Sequence, residues 1–416
     1  MDALSGELPT TAQCKNAQLA LWARKAGQPD SLVADKYRQP PIKPVKRRYM
    51  NVGIIRSTRY HLDRYGISME DAAPTPTIGY GGNLTPDIDL SLTNKISKKT
   101  TSESKMRELT QEHIQAHYAG RHQLWTDASK TKIDDGSNRV GIGLFSEKLE
   151  HCSTDRGLED HHRLNNDVAI ATAELQAILT LLEHTVLVRA GEADCYGPNP
   201  LICTDSLSAL QEIKSRDPSR LDLVLAVFEV LEDLEVEGIR PTFLWVPSHC
   251  NISGNEEADR LAKEGTKMEQ IDKNMQLGPR ELTTKIRIGI VKDANEDWIT
   301  STSDSCKHMR KAVPSPYTTK IPIDKKYVKR NRLLVNRPYF YLTQKEECEA
   351  CNTKKTPEHM LLECPRLATE RRILEIRFLQ LGVEFSLGNI LSPHPPGELI
   401  SPILHYIRAL DSIEPI

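Results

Sequence analysis

The 416-residue chain balances 55 Lys and Arg against 57 Asp and Glu for a net charge of −2, with 38% hydrophobic residues and only six Phe and four Trp. That length allows two or three domains with cores of their own, and no run reaches the roughly 18 apolar residues of a membrane span. The start, MDALSGELPTTAQ, lacks a charged and then apolar leader, so the chain reads as soluble and intracellular, cytoplasmic or nuclear. Nine cysteines, scattered except for one late cluster, argue for reduced thiols over a disulfide framework.

Charge is unevenly spread. Residues 121–270 hold 15 Lys and Arg against 27 Asp and Glu, a local charge of −12, while residues 1–60 stand at +7 and residues 305–337 at +9. The acidic centre would repel an anionic polymer unless cations neutralised it, whereas the basic arms could supply phosphate contacts or simply be solvated linkers. The motif KPVKRR at residues 43–48 fits a short nuclear signal.

In chain order, AQLALWARKAG predicts a short helix, residues 31–64 are irregular and basic, and residues 66–105, rich in Pro, Gly, Ser and Thr, predict a linker. From His122 the texture changes. HQLWTDAS and RVGIGLF predict strands joined through KIDDGSN, with LEHCSTD as a possible third. Next, AIATAELQAILTLLEHTVL spaces Ile170, Leu175, Ile178, Leu179 and Leu182 as a helix with Glu174 near its start. PLICTDSLSALQEI predicts a strand running into a helix with Asp205 at the junction. A helix over about residues 221–236, the strand PTFLWVPSH, and the helix SGNEEADRLAKEG with Ser253 as its cap and Asp259 in its second turn complete the series. Early hairpins followed by strand–helix alternation predict a mixed α/β sheet covered by helices on its faces.

Four carboxylates thus sit in separate segments: Asp127 in WTDAS, Glu174 in TAELQAI, Asp205 in CTDSLSAL and Asp259 in SGNEEADRLA, with His249 in WVPSHC. Taken singly, each has a bland reading as a turn acid, a first-turn helix acid, an exposed helix acid beside Arg260, or a structural histidine. Brought together in one fold they would repel unless hard divalent cations sat between them.

In this order and context, residues 119–270 resemble the type 1 ribonuclease H domain, in the variant that closes non-LTR retrotransposon polyproteins. The resemblance implies a ribonuclease H-like mixed five-stranded sheet with helices on both faces. It further implies that Asp127, Glu174, Asp205 and Asp259 hold two Mg²⁺ ions, with Mn²⁺ as a substitute, and that the RNA strand of an RNA/DNA hybrid is cut to 5′-phosphate and 3′-hydroxyl ends. His249 would shuttle protons or help product leave, and Asn255, one helical turn before Asp259, would contact substrate near the cut. The stretch after the third motif offers only Lys214, Arg216 and Arg220 before turning acidic, so the arms are expected to help grip the hybrid.

A second motif, Cys348-x2-Cys351-x7-His359-x4-Cys364, suits a structural, tetrahedral Zn²⁺, and similar clusters follow the ribonuclease H domain in such elements. Just upstream, KKYVKRNRLLVNRPYFY interleaves basic residues with Tyr327, Tyr339, Phe340 and Tyr341, a composition suited to phosphates and stacked bases. The expected organisation is a basic, linker-like region over residues 1–118, which could be a polymerase thumb or connection remnant. The ribonuclease H domain spans 119–270, a basic linker or helical region 271–340, and a zinc-knuckle-like and helical region 341–416. With no Tyr/Phe-x-Asp-Asp polymerase signature, the chain resembles a C-terminal fragment or host-encoded remnant, and a catalytically silent nucleic-acid-binding remnant is the alternative to an active enzyme. Oligomeric state is not legible.

Overall fold

A computed structural model describes residues 8–28, 54–76, 80–96, 100–133, 138–147, 157–191, 197–215, 218–300, 310, 315, 317, 347–348, 350–354, 356, 358–392 and 395–413. The motif at 43–48, residues 134–137 of the KIDDGSN turn, the LEHCSTD segment, most of the 305–337 arm and the Tyr/Phe-rich run lie outside these residues. The chain divides into two compact units, one of Ala20–Thr283 and one of Thr284–Ile416 together with Met1–Leu19. No described helix is long and apolar enough to cross a membrane.

The elements are α1 (Thr10–Ala26), α2 (Ile54–Arg64), β1 (Asp87–Asp89), α3 (Glu103–His117), β2 (Gln123–Lys132), β3 (Asn138–Ser146), β4 (Glu159–Leu164), α4 (Ile170–Gly191), β5 (Leu201–Thr204), α5 (Leu207–Lys214), α6 (Leu221–Val236), β6 (Thr242–Trp245), α7 (Ser253–Lys267) and α8 (Pro279–Thr300). They are followed by β7 (Glu347–Cys348), β8 (Thr353–Lys354), α9 (Ala368–Gln380), α10 (Leu387–Leu391) and α11 (Gly397–Ile413).

In the first unit the strand order is β1-β6-β5-β2-β3-β4. The pairs β2–β3 and β3–β4 are antiparallel, as short loops require, while β2–β5 and β5–β6 are parallel and need the helical crossovers α4 and α5–α6. Leu124, Val140, Ile142 and Leu144 are fully buried on one face of the sheet. The other face carries Trp125, Asp127, Gly141 and Gly143, and α7 lies against it. A Cβ on Gly141 would come within 2.5 Å of the Ala262 carbonyl, and one on Gly143 would collide with that of Ala258. Bare backbone at both positions lets the helix approach this closely.

The expected mixed sheet with helices on its faces is present, with local differences. The sheet has six strands because β1, inside the stretch expected to be a linker, pairs in parallel with β6. Its anchors are side chains: Thr242 donates to Asp87 (2.7 Å), Tyr118 to Asp89 (2.8 Å), and the His113 ring lies 2.6 Å from Asp89. Burial would raise the Asp89 pKa, but hydrogen bonds from Ser91, His113 and Tyr118 outweigh it and hold the carboxyl well below its ordinary value. The early residues also pack, since Trp22, Ala23, Ile67 and Ala73 are buried. The described third strand is β4, downstream of LEHCSTD. Ile170 is 43% exposed rather than core, and the α7 cap is Ile252, without a side-chain bond, in place of Ser253.

In the second unit, Met360, Leu361, Leu374, Phe378, Ile403 and Ile407 form a core with α9, α10 and α11. Tyr406 donates to the Leu361 carbonyl at 2.7 Å.

Candidate active site and metal centres

The site begins with strand register. β2 and β5 run parallel, and their last paired residues are Thr126 and Thr204. The next residue on each is a carboxylate, Asp127 and Asp205, so one step past the ladder sets two like charges side by side. Asp205 lies where β5 gives way to α5, whose first turn is capped by Ser206 accepting from the Ala209 N–H at 3.3 Å. The Trp245 indole fixes the junction by donating to the Asp205 carbonyl at 3.1 Å. From the first turns of α4, Glu174 completes a group in which one oxygen each from Asp127, Glu174 and Asp205 lies within 4.8 Å of the others.

Crowding and burial together disfavour the ionised carboxylates. Asp127, 7% exposed, has its pKa pushed up to about 8, first by burial and then by the charges of Asp205 and Asp259. Glu174 is raised well above the ordinary carboxyl value by burial and by Asp127 and Asp205. Its Oε2 is buried with no hydrogen-bond partner. An orphaned, buried carboxylate oxygen among hard oxygen donors is the environment a divalent cation completes, and Mg²⁺ or Mn²⁺ fits this donor set.

Among the described residues, Asp259 stands outside this tight group. Its charge raises the Asp127 pKa, and it forms an ion pair with Lys263, one turn further along α7. Asn255 is 3% exposed and donates to Asp205 across 3.4 Å, while its Oδ1 has no partner. Its amide thus lies against a carboxylate of the site, one helical turn before Asp259. His249 is exposed on the β6–α7 loop, in the left-handed region at φ 55°. The loop is pinned beside it by buried Cys250, whose thiol donates to the Ser248 carbonyl at 3.1 Å.

Sequence reasoning missed the fitting of α7 to the sheet. Gly254 faces Trp125 so closely that a Cβ there would overlap the indole; the Gly-x-Gly of RVGIGLF was the available signal for close packing. Arg220, counted for substrate grip, is internal: it donates to Asp222 at 2.7 Å and to buried Glu281 at 3.1 Å.

The second centre is also assembled. Cys348, Cys351, His359 and Cys364 each bring a ligand atom within 4.8 Å of the others. The β7–β8 hairpin turns at Asn352, φ 50°, whose N–H donates to the Cys348 carbonyl at 2.8 Å. His359 opens a π-type turn, His359–Glu363, that places Cys364 just beyond it. Burial raises the Cys348 pKa, but hydrogen bonds from His359 and its neighbours reverse that and lower it to about 6. Arg366 donates to the same sulfur at 3.3 Å. Three thiols and an imidazole match tetrahedral zinc.

No protein-family model matches the chain. It is similar to the solution structure of the PFV RNase H domain, at 18% identity over 36% of this chain and 96% of that one, with a TM-score of 0.29. It is also similar to RNase H1 from the halophilic archaeon Halobacterium salinarum, at 20% identity over 36% and 98%, TM-score 0.25. A third similarity is to LC11-RNase H1, solved in complex with RNA/DNA hybrid, at 16% identity over 35% and 97%, TM-score 0.26.

Proposed function

We propose that the chain is a metal-dependent nuclease that hydrolyses the RNA strand of RNA/DNA hybrids, leaving 5′-phosphate and 3′-hydroxyl ends. The observation that carries this reading is the convergence of Asp127, Glu174 and Asp205, two of them buried and reluctant to ionise, around an oxygen that has no partner. With Asp259 they would hold two Mg²⁺ ions. When bound, such ions supply an acidified water and stabilise charge on the leaving oxygen and the phosphorane. The protein's own part is positional: β2 and β5 fix two carboxylates, α4 brings the third, and the Trp245 indole and Asn255 amide orient Asp205. His249, exposed on a pinned loop, is the group available to carry a proton between the site and water.

The hybrid would be recognised by shape and by its 2′-hydroxyls, with little sequence preference. Arg220 is committed internally and the centre is acidic, so the basic stretches outside the described residues are the natural source of phosphate contacts. The quoted motifs, with the trailing Cys/His cluster, support an origin in a non-LTR retrotransposon polyprotein. That cluster would hold one structural Zn²⁺.

The test is a labelled RNA/DNA hybrid incubated with purified protein and Mg²⁺, beside Asp127→Asn. Cleavage by the native chain alone is the expected result. Hybrid binding without cleavage above the control overturns the enzyme and leaves a silent nucleic-acid-binding remnant.

A further inference from the structure

Glu174 reaches the site from α4, and residues 172–182 of that helix are buried without a break. A helix enclosed on all sides has no wet face to fix its rotation about its own axis. Polar contacts at its ends therefore decide where Glu174 points, and they gather at the N-terminal end. In a capping box the N–H of the residue before the helix is accepted by an acid at the third helical position. Here Ala169 precedes the helix and Thr172 holds the third position, so α4 cannot make that bond itself. Glu281 makes it instead, from another helix: the Ala169 N–H donates to Glu281 Oε1 at 2.8 Å. Glu281 is also the third residue of α8, which opens on Pro279, and its Oε2 accepts the Gly278 N–H at 2.7 Å. One buried carboxylate thus closes the N-termini of two helices. The segment leading into α8 holds the same turn a second time. Asn165 Nδ2 donates to the Met275 carbonyl at 2.9 Å, and Asn165 Oδ1 accepts the Met275 N–H at 3.1 Å. From β2, Lys130, three residues after Asp127, donates to the Val168 carbonyl at 2.7 Å.

We infer that Glu281 is a positioning residue for the metal site: it sets the rotation and axial position of α4, and through them the place of the Glu174 carboxylate beside Asp127 and Asp205. The inference rests on the metal-site reading above. It also carries the working unit past residue 270, because the residues that hold α4 lie in the segment after α7. Repulsion among three carboxylates within 4.8 Å of one another drives Glu174 outward. The bond at Ala169 opposes that movement at the end of the helix nearest to Glu174.

Two double variants of the full chain separate the cap from the charge. Arg220→Met with Glu281→Gln removes the ion pair and keeps a carbonyl oxygen for Ala169, whereas Arg220→Met with Glu281→Leu removes both. Calorimetric titration with Ca²⁺, which prefers oxygen ligands and leaves the thiol cluster aside, reads the site without turnover. The Gln variant should bind as the native chain does. The Leu variant should bind about tenfold more weakly, the lower end of what supporting residues contribute to a metal site. Hydrogen exchange at the amides of residues 169–173 should quicken in the Leu variant alone. Asn165→Ala, at a half-buried position, removes the second hold and should weaken Ca²⁺ binding in the same direction. If the Leu variant loses its helical circular dichroism, Asn165→Ala carries the test, and native affinity there overturns the inference. Equal Ca²⁺ affinities in the Gln and Leu variants, with Asp127→Asn still abolishing binding, overturn it and leave the metal site standing. No Ca²⁺ binding by the native chain overturns both.

Discussion

Gly143 lies directly opposite Asp127 in the β2–β3 ladder, and the absence of its Cβ is what lets the Ala258 carbonyl of α7 settle onto that rung. Because Asp259 follows Ala258, a missing side chain on one strand sets how near the fourth carboxylate comes to the first. Gly143→Ala should therefore cost about 1–3 kcal/mol through overpacking and loosen the Asp127–Asp259 contact. Urea unfolding with and without Mg²⁺ checks both: the variant should lose stability and also lose part of the stabilisation Mg²⁺ gives the native chain.

The raised Asp127 pKa makes metal-free stability fall with pH. Its carboxyl titrates near 3.8 when unfolded and at about 8 when folded, so the folded state binds the extra proton between those values and deprotonation works against folding there. Glu174 acts in the same direction. In EDTA the unfolding free energy should decline from about pH 4 to pH 8; Asp127→Asn should flatten that decline and raise stability near pH 8, and Mg²⁺ should restore the native chain most at the alkaline end. A native chain in EDTA that gains stability over this range would contradict the buried cluster.

His249 and Asp127 differ in what surrounds them, and their variants should differ too. Asp127 is inside the carboxylate group, so Asp127→Asn should abolish both Mg²⁺ binding and hybrid cleavage. His249 is exposed on the loop, so His249→Ala should slow single-turnover cleavage by about a hundredfold, as for loss of a proton carrier, while Mg²⁺ affinity stays as in the native chain.

Much of this site was legible because its residues lie at element ends that the sequence marks. Asp205 falls where an apolar strand meets Ser206, an ordinary helix cap, and Glu174 falls one turn into a helix rich in Ala, Leu and Ile. What stayed hidden depends on tertiary approach. No local pattern shows that Gly141 and Gly143 meet α7, that the Asn255 amide turns inward to Asp205, or that Arg220 is buried against Glu281. The β1 strand was missed because three residues in a Pro- and Gly-rich stretch carry no period; they become a strand only through Asp87 and Asp89, whose partners are in β6, α3 and the segment after it.

Arg220 offers a stability test separate from catalysis. Its guanidinium and Glu281 are both buried, and Glu281 also accepts from the Ala169 N–H at 2.8 Å and the Gly278 N–H at 2.7 Å, tying the start of α8 to the entry of α4. Removing one partner leaves a buried charge uncompensated, so Arg220→Ala should cost about 3–5 kcal/mol. The double variant Arg220→Met with Glu281→Gln should cost less than the single change, and both should keep the Mg²⁺ affinity of the native chain. Equal losses in single and double variants would show that the ion pair is not what holds these segments.

The Cys/His cluster shares its backbone with the core of the second unit, which ties metal to folding there. Between His359 and Cys364 lie Met360 and Leu361, both in the apolar core, and the Leu361 carbonyl receives the Tyr406 hydroxyl of α11. An ion held by Cys348, Cys351, His359 and Cys364 would fix the segment that supplies those core residues, so binding energy becomes folding energy. Elemental analysis should find one zinc per chain, lost in Cys348→Ser. Removing it with a chelator should lower helical content from α9 to α11 and expose the core to an apolar dye, with Ca²⁺ binding at Asp127 and Glu174 retained. A zinc-free chain with the same helical content and the same protection of Tyr406 would refute the link.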